Sequence, residues 1–156
     1  MKRIFFLLMI IVPQITFGQK DEINWIGFEE LEDSLKTENK PVVIYFYTDW
    51  CVYCKKMDRN AFRNKEVIQK LNTEFYAVKM DAESVENIEF EGQIFTNEQQ
   101  KTNRRGIHQI PLLLASRKDK PISFPVVMVL DANFQVKRKS HEYLTTDNLK
   151  TLIKID

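Results

Sequence analysis

Two cysteines, Cys51 and Cys54, are the residues of this 156-residue chain best suited to chemistry, and they are its only cysteines. A disulfide that stabilises a fold normally closes a long loop, because the entropic benefit grows with loop length. A ring through Cys51 and Cys54 restrains very few residues. This spacing therefore indicates a chemical role for the pair rather than a stabilising one.

Exchange between a dithiol and a disulfide needs a thiolate that attacks and a second thiol that resolves the mixed disulfide. The pair follows a β-prone run and opens a helical stripe, so Cys51 is predicted to lie at a helix N-terminus. Backbone N–H groups and the helix dipole stabilise a thiolate there. We expect Cys51 to be the nucleophile and Cys54, one turn inward and more buried, to be the resolving thiol.

Other uses of two closely spaced cysteines fit this chain less well. A structural zinc site needs four ligands, and His108 and His141 are distant in the sequence and form no recognisable ligand pair. Haem attachment needs a histidine directly after the second cysteine, where this chain has Lys55. We expect no metal and no other cofactor. A Cu(I)-binding module or a redox-inert adaptor is the rival class. A copper site would favour Met or His ligands close to the cysteines, but the nearby Met57 is expected to face the core.

The N-terminal residues predict export. Lys2 and Arg3 precede an apolar run at residues 4–12, and small residues then lead to Gly18. This order is typical of a secretory signal peptide, here residues 1–18, with a cut after Gly18. The run is too short for a membrane-spanning helix, which needs about 20 apolar residues. We predict a periplasmic or secreted protein with no membrane span after cleavage; an uncleaved anchor is the alternative.

Removal of residues 1–18 leaves 138 residues, which are divided here into a linker at residues 19–26 and one domain at residues 27–156. It removes two of the 23 basic residues and none of the 22 acidic ones, so 21 positive charges face 22 negative ones. This balance offers no electrostatic reason to expect nucleic acid or an anionic membrane as a partner. We expect a monomer.

Helices and strands alternate around the cysteines. The run Val42–Tyr47 is β-prone and apolar on both faces, which is typical of a central strand that helices cover on both sides. The neighbouring segments predict a helix at 27–37, a helix that starts near Cys51, a helix capped by Asn64 and a strand at 75–81. This order predicts an α/β layer fold.

The C-terminal half is predicted to hold shorter elements. They are a hairpin around Glu91-Gly92, a polar surface connection at 96–106, a helix at 108–115 with Pro111 in its first turn, a strand at 126–130 opened by Pro125, an edge strand at 134–139 and a last helix capped by Thr146. His108 is predicted to be a helix-start or packing residue, so no chemistry is assigned to it.

The segment Thr48–Met57 (TDWCVYCKKM) resembles the active-site segment of thioredoxin-like proteins. It is most similar to the carboxy-terminal domain of the thiol-disulfide interchange protein and to exported thioredoxin-related proteins of the Bacteroidetes type. The similarity runs from about Phe28 to Ile153. The resemblance implies a thioredoxin fold, with a central mixed β-sheet flanked by helices. It also implies reversible exchange with protein thiols and disulfides, with an upstream membrane electron donor as a further partner.

The resemblance implies a cis-proline opposite the cysteine pair, at the start of a core strand. Pro125 matches that position, because the β-prone run 126–130 follows it directly. The backbone beside this proline is then implied to pair with the substrate, and the preceding residue, Phe124, to tune the redox potential. Trp50 is expected to line the rim of the site while it packs beside the cysteines.

Two features depart from the family pattern. Many thioredoxins carry a buried acid six residues before the first cysteine, where this chain has Tyr45; Asp49 is nearer but is expected to be exposed. Residues 83–122 form an insertion before the cis-proline strand, which either contributes to partner docking or pads the fold. The leading prediction is an exported reductant of protein disulfides, and an oxidase or isomerase on the same scaffold is the alternative.

Overall fold

The structure is a computed structural model that describes residues 21–154, so the predicted signal peptide lies outside the described residues. Its strands are β1 (Trp25–Ile26), β2 (Val42–Tyr47), β3 (Tyr76–Asp81), β4 (Ile88–Phe90), β5 (Gln93–Phe95), β6 (Val126–Leu130) and β7 (Val136–Ser140). Its helices are α1 (Phe28–Thr37), α2 (Val52–Arg59), α3 (Lys65–Glu74), α4 (Gln109–Ala115) and α5 (Thr146–Leu152), with 3-10 helices at Ala61–Arg63 and Glu98–Lys101. Within residues 21–154, no helix has both the length and the apolar character needed to cross a membrane.

Five strands form one sheet in the order β1-β3-β2-β6-β7. β1, β3 and β2 run parallel, whereas β6 is antiparallel to β2 and to β7. β2 lies at the centre, as its apolar faces predicted, and β7 lies at an edge. The predicted α/β fold with a mixed central sheet flanked by helices is therefore confirmed.

Alternate residues of β2 enter two separate cores. Val43 and Tyr45 pack with residues of α2, α3 and α5 on one face of the sheet. Val42, Ile44 and Phe46 pack with residues of α1 and α4 on the other face. Burying each large apolar side chain contributes roughly 1.5–3 kcal/mol. Both faces of β2 are thus held by packing, and the loop that leaves its C-terminal end starts from a rigid support.

Two of the predicted helix caps can be compared with the structure. Asn64 caps α3 as predicted, because its side-chain oxygen accepts two backbone N–H groups of the first turn at 3.1 and 3.2 Å. The last helix is capped by Thr145 and not by the predicted Thr146. Thr145 has extended backbone, and its hydroxyl accepts the backbone N–H of Asn148 at 3.3 Å. Two adjacent threonines carry the same sequence signal, so only the backbone conformation distinguishes them.

The segment predicted as a linker, residues 19–26, contains a strand in the structure. Trp25 and Ile26 pair in parallel with Ala77 and Val78 of β3. The sheet therefore begins before the predicted domain start at residue 27. A strand of two residues is too short to produce an alternating pattern that a sequence can reveal.

The β3–α4 connection (residues 82–108) contains the hairpin predicted around Glu91-Gly92. β4 pairs antiparallel with β5, and the two turn residues have φ angles of 49° and 71°. The stretch predicted as a polar surface connection, 96–106, is exposed over residues 98–105 as predicted, but Asn97 is only 2% exposed. Its amide binds backbone carbonyls of the same connection, which allows a polar side chain to be buried.

Candidate active site

The cysteine pair lies where β2 passes into α2. Cys51 is the N-cap of α2, and its sulfur accepts the backbone N–H of Cys54 at 3.1 Å. The two residues are joined as a disulfide across the first turn of the helix, with their Cα atoms 5.2 Å apart. The helix predicted to begin here is confirmed. Because Cys51 receives a helix N–H and faces the positive end of the helix dipole, this position stabilises a thiolate on Cys51 after reduction.

Burial of the two cysteines follows the predicted order but differs in degree. Cys54 is 1% exposed and Cys51 is 4% exposed, so Cys51 is less accessible in the disulfide state than the sequence suggested. The disulfide ties its side chain to the inner turn of α2. The neighbouring Trp50, Val52 and Tyr53 are exposed, which places the pair directly beneath the protein surface.

Pro125 lies at the end of the sheet where β2 ends and the loop to the cysteines begins. Val126 of β6 pairs with Phe46 of β2, so Pro125 lies beside Tyr47, the last residue of that strand. The peptide bond between Phe124 and Pro125 is cis. Phe124 is half-buried and packs against both cores, while Pro125 itself is buried.

Trp50 contacts Glu83 and Arg105, which no pattern in the sequence had indicated. Its indole Nε1 donates a hydrogen bond to Glu83 Oε1 at 2.8 Å, and the guanidinium of Arg105 lies 5.1 Å from its ring centroid. The ring nevertheless remains half exposed. Both partners belong to the β3–α4 connection, and no local pattern links them to the cysteine segment.

A second cation–aromatic contact involves Tyr143, which packs against Tyr53. Tyr53, between the cysteines, packs against Tyr143 with ring centroids 5.9 Å apart. Lys56 of α2 places its ammonium 4.7 Å from the Tyr143 ring centroid. Tyr143 carried no signal in the sequence, since the loop before α5 reaches the site only through the fold.

Tyr45 occupies the position at which a buried acid was expected by resemblance. It is fully buried, its hydroxyl has no hydrogen-bond partner among the described residues, and its ring packs on Phe62 with centroids 4.7 Å apart. Burial, and then the negative charge of Asp58, raise the pKa of Tyr45 above its ordinary value. Tyr45 therefore stays protonated at neutral pH and is no base for the thiol of Cys54.

The nearest described charges to Tyr45 are those of a partly buried ion pair. Lys79 Nζ lies 2.9 Å from Asp58 Oδ1 and 5.4 Å from the centroid of the Tyr45 ring. The exposed Asp49 lies at the rim, as predicted. Asp81, at the end of β3, has its pKa raised by burial and then by the negative charges of Asp49 and Glu83.

His108 is the helix-start residue that the sequence predicted. Its Nδ1 accepts the backbone N–H of Ile110 at 3.2 Å, so its Nε2 carries the proton and donates to the carbonyl of Glu86 at 3.1 Å. The residue is fully buried, and burial lowers its pKa. Between residues 21 and 154, no group of three or more His, Cys, Asp or Glu side chains is placed to hold a metal ion.

The cysteine geometry can be compared with known proteins. A family model described as thioredoxin-like matches residues 24–132, which is more than half of the chain. The chain belongs to the thioredoxin-like family. The predicted family and fold are therefore confirmed, and the family together with the Cys51–Cys54 disulfide supports a thiol–disulfide oxidoreductase.

Individual relatives agree with this assignment. The thiol:disulfide interchange protein DsbD of Campylobacter jejuni (strain RM1221) is 33% identical over 67 residues, covering 43% of this chain but only 11% of the relative. A DsbH oxidoreductase structure has a TM-score of 0.55 at 19% identity and covers 83% of this chain and 81% of its own. A thioredoxin from Thermus thermophilus has a TM-score of 0.56 at 15% identity, covering 84% and 85%. At these identities the two structures establish the fold alone.

Proposed function

We propose that this protein is an exported thiol–disulfide oxidoreductase that reduces disulfides in other proteins. The observation that carries the proposal is the Cys51–Cys54 disulfide across the first turn of α2, with the sulfur of Cys51 accepting a helix N–H. A disulfide at a helix N-terminus can open and close without disturbing the sheet behind it. Membership of the thioredoxin-like family supports the same chemistry.

The reaction begins when the Cys51 thiolate attacks one sulfur of a substrate disulfide. The substrate S–S bond breaks, its second sulfur leaves as a thiolate and takes a proton, and a mixed disulfide with Cys51 forms. Cys54 then gives up its proton and attacks the sulfur of Cys51, which breaks the mixed disulfide and forms the internal one. The substrate has gained two electrons and two protons. A dithiol protein upstream must reduce Cys51–Cys54 before the next cycle.

The substrate is proposed to bind at the surface formed by Trp50, Phe124 and Pro125. Pro125 lies at the same end of the sheet as the cysteine loop. An extended substrate chain can pair with the backbone beside it. Trp50 is half exposed and directly precedes Cys51, so its ring is available to a bound polypeptide. A protein substrate can contact the half-exposed Trp50 and the partly exposed Phe124, while the buried Pro125 contributes through the backbone beside it.

Trapping tests the activity and identifies substrates together. A Cys54→Ser variant keeps the attacking thiol but cannot release the captured substrate, so it should accumulate mixed disulfides in cells. Cys51→Ser is the matched control and should form none. Non-reducing electrophoresis followed by mass spectrometry measures the adducts. Absence of adducts with Cys54→Ser, together with no reduction of peptide disulfides by the reduced wild-type protein, would reject the proposal.

The direction of electron flow has its own measurement. Equilibration with mixtures of reduced and oxidised glutathione gives the reduction potential of the pair. A reductant is expected to have a reduction potential of about −270 mV, whereas a strong oxidant of this chemistry has one of about −120 mV. A reduction potential at the oxidising end would reject the proposed reductase and favour the alternative, an oxidase or isomerase.

Export is supported by the basic, apolar and small residues that follow one another over positions 1–18. The mature protein is proposed to be a periplasmic or secreted monomer beginning at Gln19. Expression of the full chain in a bacterium, cell fractionation and N-terminal sequencing test this. Recovery of the uncut chain from the cytoplasm would contradict export without affecting the proposed chemistry.

A further inference from the structure

Two cations lie over aromatic rings near the cysteine pair, the half-exposed Trp50 and the partly buried Tyr143. Arg105 lies over Trp50, which precedes Cys51, and Lys56 lies over Tyr143, which packs against Tyr53 between the two cysteines. A cation over an exposed aromatic ring gains roughly 0.5–1 kcal/mol. Each contact therefore holds a long, otherwise mobile side chain close to the site where a substrate must dock.

The position of Arg105 depends on a buried network in the β3–α4 connection. The Asn97 amide donates to the carbonyl of Gly106 at 2.7 Å and to that of Ser84 at 3.0 Å. A Cβ atom at Gly106 would lie 2.9 Å from Asn97 Oδ1 and closer still to neighbouring backbone. The two ends of the connection are thus held together next to Glu83 and Arg105.

Glu83 and Arg105 then contact the same tryptophan. Glu83 accepts the indole N–H of Trp50, and the Arg105 guanidinium lies over the ring. One oxygen of the Glu83 carboxylate accepts that hydrogen bond, and the group keeps its negative charge because the indole is neutral. Arg105 itself forms no ion pair with any residue in the range 21–154, so its N–H donors face solvent.

The charges around this surface leave the two cations available. Lys56 is exposed and, like Arg105, has no carboxylate partner among the described side chains. Asp49, Asp81 and Glu83 form a group of carboxylates near Trp50, and Glu83 keeps its negative charge while it accepts the neutral indole N–H. None of these three described residues is ion-paired with Arg105 or Lys56. An arginine that is already oriented loses less entropy when it binds a carboxylate through two parallel hydrogen bonds.

We propose that Arg105 and Lys56 together form a cationic rim, which favours substrates with acidic side chains flanking the reactive disulfide. The inference rests on the function proposed above and adds a substrate class to it. A polypeptide that presents a sulfur to Cys51 must extend over Trp50 on one side and Tyr53 on the other. Its flanking residues then come within reach of the rim cations, which makes Arg105 and Lys56 specificity-determining residues.

The test uses three peptide disulfides of identical sequence except at the residues flanking the cysteines, which are Glu, Gln or Lys. The reduced wild-type protein should reduce the Glu peptide roughly twofold to fivefold faster than the Gln peptide for each ion pair formed, as measured by kcat/KM at low salt. The Lys peptide should be the slowest. High salt should remove most of these differences, because exposed charges are screened.

Single substitutions assign the preference to the rim. Arg105→Gln and Lys56→Gln should each bring the Glu-to-Gln ratio of kcat/KM closer to one. Arg104→Gln is the matched control, because Arg104 is an exposed neighbour with the same charge and no aromatic contact among the described residues. That variant should keep most of the preference.

The outcomes separate this inference from the function on which it rests. Equal wild-type rates on the Glu and Gln peptides, or a preference that survives Arg105→Gln and Lys56→Gln together, would overturn the cationic rim while leaving the reductase intact. A preference that persists unchanged at high salt would also contradict it. Failure of the wild-type protein to reduce even the neutral Gln peptide would instead reject the proposed function.

Discussion

Two regions of the molecule meet at Trp50, and they are organised in opposite ways. In the β2–α2 region, the cysteines and their hydrogen bond lie within four consecutive residues of the chain, from Cys51 to Cys54. In the β3–α4 connection, Glu83 lies 33 positions from the tryptophan that it binds, and Arg105 lies farther still. Reactivity therefore depends on local geometry, whereas the surroundings of the reactive pair depend on how a distant segment packs.

The difference extends to what holds each region in place. The β2–α2 region starts from a strand buried on both faces and continues into a helix that caps itself through Cys51. The β3–α4 connection has few buried residues, and the side chain of Asn97 supports it from within. Disturbing the first region should remove the chemistry, while disturbing the second should change stability and selectivity.

The largest effect is expected from Cys51→Ser in the β2–α2 region. A serine hydroxyl is not ionised at neutral pH, so the reduction of a peptide disulfide should fall to the uncatalysed rate. Arg105→Gln in the other region should retain catalysis with altered substrate preference. Stopped-flow measurement of peptide reduction compares the two variants. Substantial activity in Cys51→Ser would mean that Cys54 is the attacking thiol and that the assigned roles are reversed.

The support of the β3–α4 connection is tested by Gly106→Ala. Because a Cβ at Gly106 collides with the backbone of Gln99 and Gln100, we expect a loss of about 1–3 kcal/mol in the free energy of unfolding. Urea denaturation measures this loss. Gly27→Ala is the matched control, since nothing lies within 4 Å of its added Cβ; because Gly27 is the N-cap of α1, where alanine is disfavoured, its loss should stay below about 1 kcal/mol. Equal effects at the two glycines would contradict the close packing at Gly106.

His108 should make the stability of the β3–α4 connection depend on pH. Burial lowers its pKa in the folded protein below the ordinary 6.5, so the unfolded chain binds more protons as the pH falls below that value. The free energy of unfolding should therefore decrease as the pH falls from about 6.5 towards the folded pKa, and should level off below it. Its stabilising contribution is complete above pH 6.5.

Substitution assigns this pH dependence. Denaturant unfolding between neutral and mildly acidic pH should have a smaller slope in His108→Asn, because asparagine can cap α4 but does not titrate. His141 also has its pKa lowered by burial and accounts for part of the remaining slope, which His141→Gln measures. An unchanged slope in His108→Asn would show that His108 is not the titrating group.

The smallest effect is expected from Glu83→Gln. An amide oxygen can still accept the indole N–H of Trp50, so only the charge-assisted part of the hydrogen bond is lost, at about 0.5–1.5 kcal/mol. Trp50 should become slightly more accessible to acrylamide quenching of its fluorescence, against a constant contribution from Trp25. Glu89→Gln, an exposed glutamate of the same connection, should leave quenching unchanged. Equal quenching in the two variants would show that the charge of Glu83 does not help to position Trp50.

The sequence predicted much of the fold because several elements carry strong local signals. Val42–Tyr47 is apolar on both faces and is the central strand, and Asn64 caps α3 as its position indicated. Weaker signals led to errors or omissions. The two-residue strand β1 is too short to show a period, and Thr145 and Thr146 are indistinguishable as caps until the backbone is known.

The sequence alone identified the cysteine pair and its place between a strand and a helix. Cys51 and Cys54 have a spacing that one helical turn can join, and the strand and helix around them follow from local hydrophobic patterns. Pro125 was matched to a position implied by the family resemblance, because a strand follows it directly. These features depend on neighbours within a few residues, so the order of amino acids is sufficient to predict them.

Only the tertiary structure decided what surrounds Trp50. The contacts of Glu83 and Arg105 with that ring, the burial of Asn97 and the approach of Tyr143 to Tyr53 join segments far apart in the chain. No residue period or local motif records which distant side chains meet, because such contacts are selected by the packing of the whole domain.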